Sequence, residues 1–170
     1  MLTRSVWSTT GAELGLAPSW AAAYSGEVVS EAQAAERLIL ICPGFQPIWQ
    51  RHLDWSEGKR FGEYVDLGIL TEWIVDQMIA GQIDCFSSLF AEVETLLQDA
   101  SRGVRNLLVI GLLEDIQLWV IGKYGDKASE LDPDQFLPFL GNETRKEWFG
   151  LVRYWDHWEP GKWTGKRDKS

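Results

Sequence analysis

The stretch Val104–Ile121, with the sequence VRNLLVIGLLEDIQLWVI, decides the fold class. Apolar side chains occupy almost every position around it, and a helix that is apolar on all sides is buried on most of them. The run is also too long for a buried strand, which spans about four to eight residues. We therefore predict a central helix with other helices packed around it.

The flanking segments supply the neighbouring helices. Ser30 and Gln33 match a capping box at a helix start, the pair Pro43-Gly44 ends that helix, and Pro47 suits the first turn of the next. Three later segments carry apolar residues at spacings of three and four. They contain Leu67, Leu70, Ile74 and Met78 before Gly81; Phe86, Leu89, Phe90, Val93, Leu96 and Leu97 after the predicted cap Asp84; and Trp148, Leu151, Val152 and Trp155 after Asn142. The predicted class is all-α, an antiparallel helical bundle or a short HEAT-like stack of helix pairs.

The composition divides the chain into three parts. Residues 1–29 are rich in Ser, Thr, Gly and Ala and are predicted to form an N-terminal arm. Residues 30–159 carry the helical pattern, and a chain of 170 residues suits one such domain. Residues 160–170, which begin with Pro160-Gly161, form a basic C-terminal tail.

The negative charge is concentrated in the helical domain. The whole chain has a net charge of −9, whereas residues 27–159 hold 23 acidic and 11 basic side chains, a net −12. Such a surface repels nucleic acid and anionic lipid and attracts basic proteins. We therefore expect no nucleic-acid or membrane partner, although the charge could serve solubility alone.

Compartment and cysteine usage lead to linked expectations. The N-terminus lacks the apolar stretch of a signal peptide, and no run approaches the roughly 18–20 apolar residues of a membrane span, so a cytoplasmic location is expected. Cys42 and Cys85 lie far apart, each in an apolar run, which is not a disulfide framework. Both are expected to be small core residues, while a thiolate at Cys85, beside a helix start, is the redox alternative.

Familiar catalytic patterns are missing from the sequence. It contains no P-loop, no dinucleotide-binding glycine pattern and no nucleophile elbow. Its two histidines, His52 and His157, are too few for a multi-histidine metal site and are expected to be a half-buried helix residue and a cation near a helix end. We predict a non-enzymatic protein without a cofactor. The alternative is an enzyme of unrecognised type with carboxylates around a divalent ion.

Glu114 and Asp115 interrupt the most apolar helix. A carboxylate that enters a core costs several kcal/mol unless it is paired. One interpretation is structural, in which Glu114 caps a neighbouring helix or pairs with Arg102, Arg105 or another arginine. The other is functional, in which the two carboxylates face a groove and receive a cation from a partner.

A set of short motifs resembles a family of small helical bacterial proteins of unknown function. The resemblance extends from about Leu38 to Trp119 and so covers roughly half the chain. The motifs are Cys42-Pro43-Gly44-Phe45, Pro47-Ile48-Trp49, Leu70-Thr71-Glu72-Trp73-Ile74-Val75, Phe90-Ala91-Glu92-Val93-Glu94, Val104-Arg105-Asn106-Leu107 and Gly111-Leu112-Leu113-Glu114-Asp115. Many members of this family look like immunity proteins of polymorphic toxin systems. The resemblance implies a helical protein that binds one toxin, and it brings no catalytic residues.

The resemblance and the acidic charge together predict a binding function. The leading hypothesis is an immunity protein that neutralises a cognate secreted toxin domain, expected to be basic, through an acidic surface with Trp anchors. The alternative is a helical adaptor or scaffold for a basic protein or peptide. The predicted partner-binding residues are Asp54, Trp55, Glu57, Glu63, Asp66, Asp76, Glu114 and Asp115.

Overall fold

The computed structural model describes residues 28–120 and 131–152, and within these ranges the chain is all-α, as predicted. The α-helices are α1 (Glu31–Ile41), α2 (Gln46–Trp55), α3 (Glu63–Ala80), α4 (Phe86–Gln98), α5 (Arg102–Leu108), α6 (Asp115–Val120) and α7 (Asn142–Val152). Two 3₁₀ helices, Pro43–Phe45 and Pro133–Phe139, and a π-helical segment, Val109–Glu114, complete the described structure. The predicted arm lies outside the described residues apart from 28 and 29, and the basic tail lies wholly outside them.

The predicted central helix is confirmed. The helices α5 and α6 and the π-helical segment between them form one helical run that contacts α1, α3, α4 and α7. Fully buried side chains along it are Leu107, Leu108, Leu112, Leu113 and Ile116. In a stack of repeats each unit touches only its neighbours, so contacts with four surrounding helices fit the bundle better than the HEAT-like stack. Within the described ranges, no helix is long and apolar enough to cross a membrane.

Local sequence signals account for several helix ends. The hydroxyl of Ser30 accepts a hydrogen bond from the Gln33 amide at 3.3 Å, and the Gln33 side chain accepts one from the Ser30 amide at 2.8 Å. Gly81 ends α3 with a left-handed φ of 69°, which glycine adopts at little cost. The prediction that Asp84 caps α4 is wrong, because Cys85 is the cap residue and no side-chain capping bond is found there among the described residues.

Cys42 and Cys85 form a disulfide, with their Cα atoms 5.6 Å apart. The expectation of two unpaired core cysteines is therefore wrong, although Cys42 is fully buried. The bond joins the C-terminal end of α1 to the N-terminal end of α4 across 43 residues of sequence. Such a separation gives no local signal, because the pairing depends on how α2 and α3 return the chain to α1.

An ion pair lies between α1 and α4. Glu92 does not belong to the apolar stripe of α4, yet it is only 8% exposed, and its carboxylate lies 2.5 Å from the Arg37 guanidinium. The reason is that α1 packs across this side of α4. Burial raises the pKa of Glu92, and the charge and hydrogen bond of Arg37 partly oppose that rise.

Glu94, two residues along α4, caps a different helix. Its carboxylate accepts hydrogen bonds from the amides of Glu143 and Thr144 at 3.0 and 2.9 Å and from the Thr144 hydroxyl at 2.8 Å. These donors lie in the first turn of α7, whose amides have no partner within the helix. Burial raises the pKa of Glu94, but the hydrogen bonds outweigh it and the net pKa is lowered. Glu94 thereby fastens α7 to α4.

Removal of this cap should destabilise the protein measurably. We expect Glu94→Ala to lower the free energy of unfolding by about 2 kcal/mol, because charged caps contribute about that much. Gly141→Ala should cause a similar loss, since an added Cβ would lie 2.4 Å from the Glu94 carboxyl carbon. Urea unfolding measures both, with the exposed Gln98→Ala as control. Because both changes disrupt the same cap, the double variant should lose little more unfolding free energy than either single variant. Fully additive losses would contradict the assignment of Glu94 as the cap of α7.

The same cap predicts a pH dependence. The folded pKa of Glu94 is lowered from 4.5, so its ionisation contributes stability above the unfolded pKa, and this contribution is lost as the pH falls through the folded value. The stability difference between the protein and Glu94→Gln should therefore shrink on acidification from pH 6. A difference that stays constant down to the lowered pKa would show that the carboxylate charge is not what holds α7.

Candidate partner-binding surface

Two aromatic side chains stand exposed where α2 ends and α3 begins. Trp55 is 76% exposed at the last residue of α2, and Phe61 is 55% exposed just before α3. On the first turn of α3, Tyr64 and Val65 are 47% and 46% exposed. Large apolar residues grouped on a surface mark interaction sites more often than single ones do. These four residues are called the aromatic surface below.

A series of stacked rings connects the aromatic surface to the core. Trp73, which is buried, lies 5.5 Å from the buried ring of Phe45, measured between ring centroids. Phe45 lies 6.3 Å from Trp49, and Trp49 lies 5.5 Å from His52. His52 then lies 6.2 Å from Trp55. His52 is half-buried, as expected, and its ring contacts the exposed indole of Trp55.

His52, Trp55 and Phe61 form a compact triangle of rings. The ring centroid of Phe61 lies 6.0 Å from the ring centroid of His52 and 6.0 Å from that of Trp55. Such spacings are those of favourable aromatic pairs. The two exposed rings are therefore held in position by their neighbours before any partner arrives.

Arg60 and Asp66 fix the loop between α2 and α3. Arg60 donates from Nε and Nη2 to one carboxylate oxygen of Asp66, at 2.7 and 2.6 Å, and its guanidinium lies 5.9 Å from the centroid of the Trp49 ring. Asp66 was predicted to contact a partner, but it is fully buried. Its carboxylate is therefore not part of the surface and instead pairs with Arg60.

Acidic residues border the aromatic surface. Asp54 and Glu57 are exposed and Glu63 is partly exposed. Asp54 accepts a hydrogen bond from the side-chain amide of Gln50 at 2.9 Å. Glu57 lies 3.9 Å from Lys59 in a highly exposed pair that contributes little stability. Glu57 also has a φ of 54°, which is uncommon for a residue other than glycine. The structure thus brings four predicted residues, Trp55 included, to one corner of the bundle.

The remaining predicted residues lie elsewhere along α3 and the central run. Asp76 is partly exposed on α3, between three and four turns after Glu63. Glu114 and Asp115 are partly exposed where the π-helical segment meets α6. A Cβ built on Gly68 of α3 would lie 3.9 Å from the Asp115 carboxylate. Asp115 therefore packs beside α3.

The predicted partners of Glu114 can now be located. The Arg105 guanidinium donates hydrogen bonds to the Glu147 carboxylate and to the Leu97 carbonyl. Arg102 is exposed at the start of α5, and no bond between it and Glu114 occurs among the described residues. Pairing of Glu114 with Arg105 is therefore not found in this part of the chain, and partial exposure keeps the functional interpretation open.

Tyr64 connects the aromatic surface with the π-helical segment. A Cβ on Gly111 would lie 3.0 Å from the Tyr64 ring, so the tyrosine packs directly on this glycine. The neighbouring Ile110 is 49% exposed. Irregular π-helical turns occur frequently at functional sites. The glycine lets α3 approach the central run closely enough to present Tyr64.

Sequence reasoning missed Phe61, Tyr64 and Val65, although a signal for them exists. The buried apolar residues of α3 begin at Leu67 and continue with Leu70 and Ile74. Phe61, Tyr64 and Val65 all precede Leu67 and are apolar, Phe61 lying just ahead of the helix and Tyr64 and Val65 in its first turn. Apolar residues ahead of a helix's buried face are the pattern that would have identified the surface.

Fold and site together define a small all-α domain with an aromatic surface bordered by carboxylates. Within residues 28–120 and 131–152, no group of three or more His, Cys, Asp or Glu side chains is placed to hold a metal ion. The chain belongs to the family of the domain of unknown function DUF7674, whose family model matches residues 35–156. No curated protein and no solved structure gave a significant match.

Proposed function

We propose that this protein is an immunity protein that binds a basic toxin domain through the aromatic surface and its acidic border, and thereby neutralises the toxin. The single observation that carries the proposal is the exposed Trp55–Phe61 pair, whose rings contact each other and His52 and which is flanked by Asp54 and Glu57. The resemblance of the sequence motifs to a family of unknown function, many of whose members look like immunity proteins, supports a toxin as the class of partner.

The arrangement of the rings suits tight binding. Tryptophan and tyrosine are enriched among the residues that contribute most to protein interfaces. Ordering flexible side chains on association costs about 0.5–1.5 kcal/mol each. Trp55 is already held by His52 and Phe61, so little of this cost remains. The aromatic surface can therefore anchor a partner that offers a complementary pocket.

The charge distribution suits a basic partner. The net −12 of residues 27–159 attracts a cationic domain over about a Debye length, roughly 8–10 Å at physiological salt. Complementary charge mainly raises the association rate, which benefits an inhibitor that must reach a toxin before the toxin acts. Asp54 and Glu57, exposed beside Trp55, place part of that charge at the anchor itself.

The function is tested by co-expression with the toxin domain encoded by the adjacent gene. Cells that carry both genes should survive, and the two purified proteins should form a complex measurable by calorimetry. Survival should depend on direct contact and not on an enzymatic change in the toxin. The proposal is wrong if cells die despite full expression, or if the toxin recovered from surviving cells is chemically altered.

Trp55→Ala tests the surface. We expect this change to weaken toxin binding by about 30-fold or more, since central interface tryptophans contribute at least about 2 kcal/mol. Ile79→Ala is the matched control, because Ile79 is also exposed, at 47%, but lies near the far end of α3. Both variants should keep the thermal stability of the parent. Equal affinities for the two variants would place the interface elsewhere on the bundle.

A further inference from the structure

The Cys42–Cys85 disulfide has one shielded and one accessible partner. Cys42 is fully buried at the end of α1, whereas Cys85 is partly exposed at the start of α4. Cys85 is therefore the more accessible of the two cysteines to an external thiolate. The N-terminal end of α4 also favours a thiolate at Cys85 once the bond opens.

The disulfide sits at the attachment point of α2. No residue of α2 is fully buried, and its contacts with the core come from the half-buried Ile48 and Trp49 in its first turn, so the helix is held mainly near its start. Phe45, three residues after Cys42, inserts its ring into the core, and the Gln46 side chain donates to the Ile39 carbonyl at 2.6 Å. By contrast, α3 lies in the same disulfide-closed segment but has its own buried face, which includes Leu67, Leu70 and Ile74.

We propose that Cys42–Cys85 is a reversible thiol–disulfide exchange site that takes a dithiol reductant, and that its reduction loosens α2 and with it the aromatic surface. The consequence for partner binding rests on the proposed function, whereas the coupling between the bond and α2 does not. In the reducing cytoplasm, where we expect this protein, disulfides are mostly redox-sensing or catalytic.

The exchange is a two-electron reduction in two steps. A thiolate of the reductant attacks the Cys85 sulfur, the S–S bond breaks, and Cys42 leaves as a thiolate that takes up a proton. The second thiolate of the reductant then attacks the first sulfur of the same reductant in the mixed disulfide. Cys85 leaves as a thiolate and takes up a proton. The reductant ends as a disulfide, oxidised by two electrons, and the protein ends with two cysteine thiols.

Hydrogen exchange with mass spectrometry tests the coupling without any toxin. The native protein is treated with dithiothreitol, its thiols are counted by alkylation, and amide exchange is compared before and after. We expect complete reduction without denaturant and at least about tenfold faster exchange in residues 46–55, since a helix with no buried residue opens locally once an anchor is lost. Exchange in α3 and in the central run should change little.

A Cys42→Ala, Cys85→Ala double variant is the matched control. It should show fast exchange in residues 46–55 with or without dithiothreitol. Three results would overturn the proposal: free thiols in the protein purified under air, a bond that yields to dithiothreitol only in denaturant, or equal acceleration in every helix. Since none of these readouts involves a partner, failure of the toxin-binding proposal would leave the redox result intact and separately interpretable.

Discussion

Replacement of Trp148 by alanine is expected to lower the free energy of unfolding by about 4 kcal/mol, because truncation of a buried tryptophan leaves a large cavity. Trp148 on α7 is fully buried, and its ring lies 5.8 Å from that of Phe136, measured between centroids. Its carbonyl accepts a hydrogen bond from the Gln117 side chain of α6 at 3.0 Å. The buried ring thus packs against the 3₁₀ helix Pro133–Phe139, while the Trp148 backbone is tied to the central run.

Urea unfolding followed by circular dichroism measures this loss. Domains of this size commonly have about 5–15 kcal/mol of stability in total, so Trp148→Ala should bring the protein close to unfolding at 37 °C. Trp148→Phe should lose less, because it leaves a smaller cavity. The exposed Trp55→Ala provides the contrast, with little or no loss. If Trp148→Ala were as stable as Trp55→Ala, the described packing of α7 would be wrong.

Glu92→Ala is expected to cost about 3 kcal/mol, because it leaves the Arg37 guanidinium without its carboxylate in a largely buried place. Glu36→Ala, one residue away from Arg37 but exposed, is the control and should cost under about 0.5 kcal/mol. The measurement is again urea unfolding at neutral pH.

The apolar replacement Arg37→Met, Glu92→Leu separates charge pairing from packing. Buried ion pairs are often replaced by apolar residues with little net loss. The double variant should therefore recover much of the stability lost in Glu92→Ala. If Glu92→Ala were as stable as Glu36→Ala, the Arg37–Glu92 contact would contribute nothing to the stability of the fold.

The fold could be predicted where its causes are local. The capping box at Ser30, the glycine at position 81 and the apolar run of the central helix each depend on residues a few positions apart. The disulfide and the burial of Glu92 could not be predicted, because both arise from where α1 meets α4. Sequence periodicity describes one helix at a time and does not say which neighbour covers its polar side.

The candidate site was predicted in part for the same reason. Acidic residues next to Trp55 were visible in the sequence, and the structure places them at one corner. Asp66 was misassigned, because only the fold reveals that the carboxylate is buried and that Arg60, six residues earlier in the sequence, pairs with it. Asp76, Glu114 and Asp115 stay predictions as partner contacts. Their helical positions alone do not connect them to Trp55.

The absence of buried residues in α2 has a consequence for how this family can diversify. Substitutions at exposed positions usually change stability by less than about 0.5 kcal/mol, and in α2 the half-buried Ile48 and Trp49 supply the contacts with the core while no residue is fully buried. A lineage could therefore exchange the outward-facing positions of α2 for a new recognition surface while the rest of the bundle stays unchanged. A change in binding specificity would then need few mutations, and a different α2 could be grafted onto this scaffold by design.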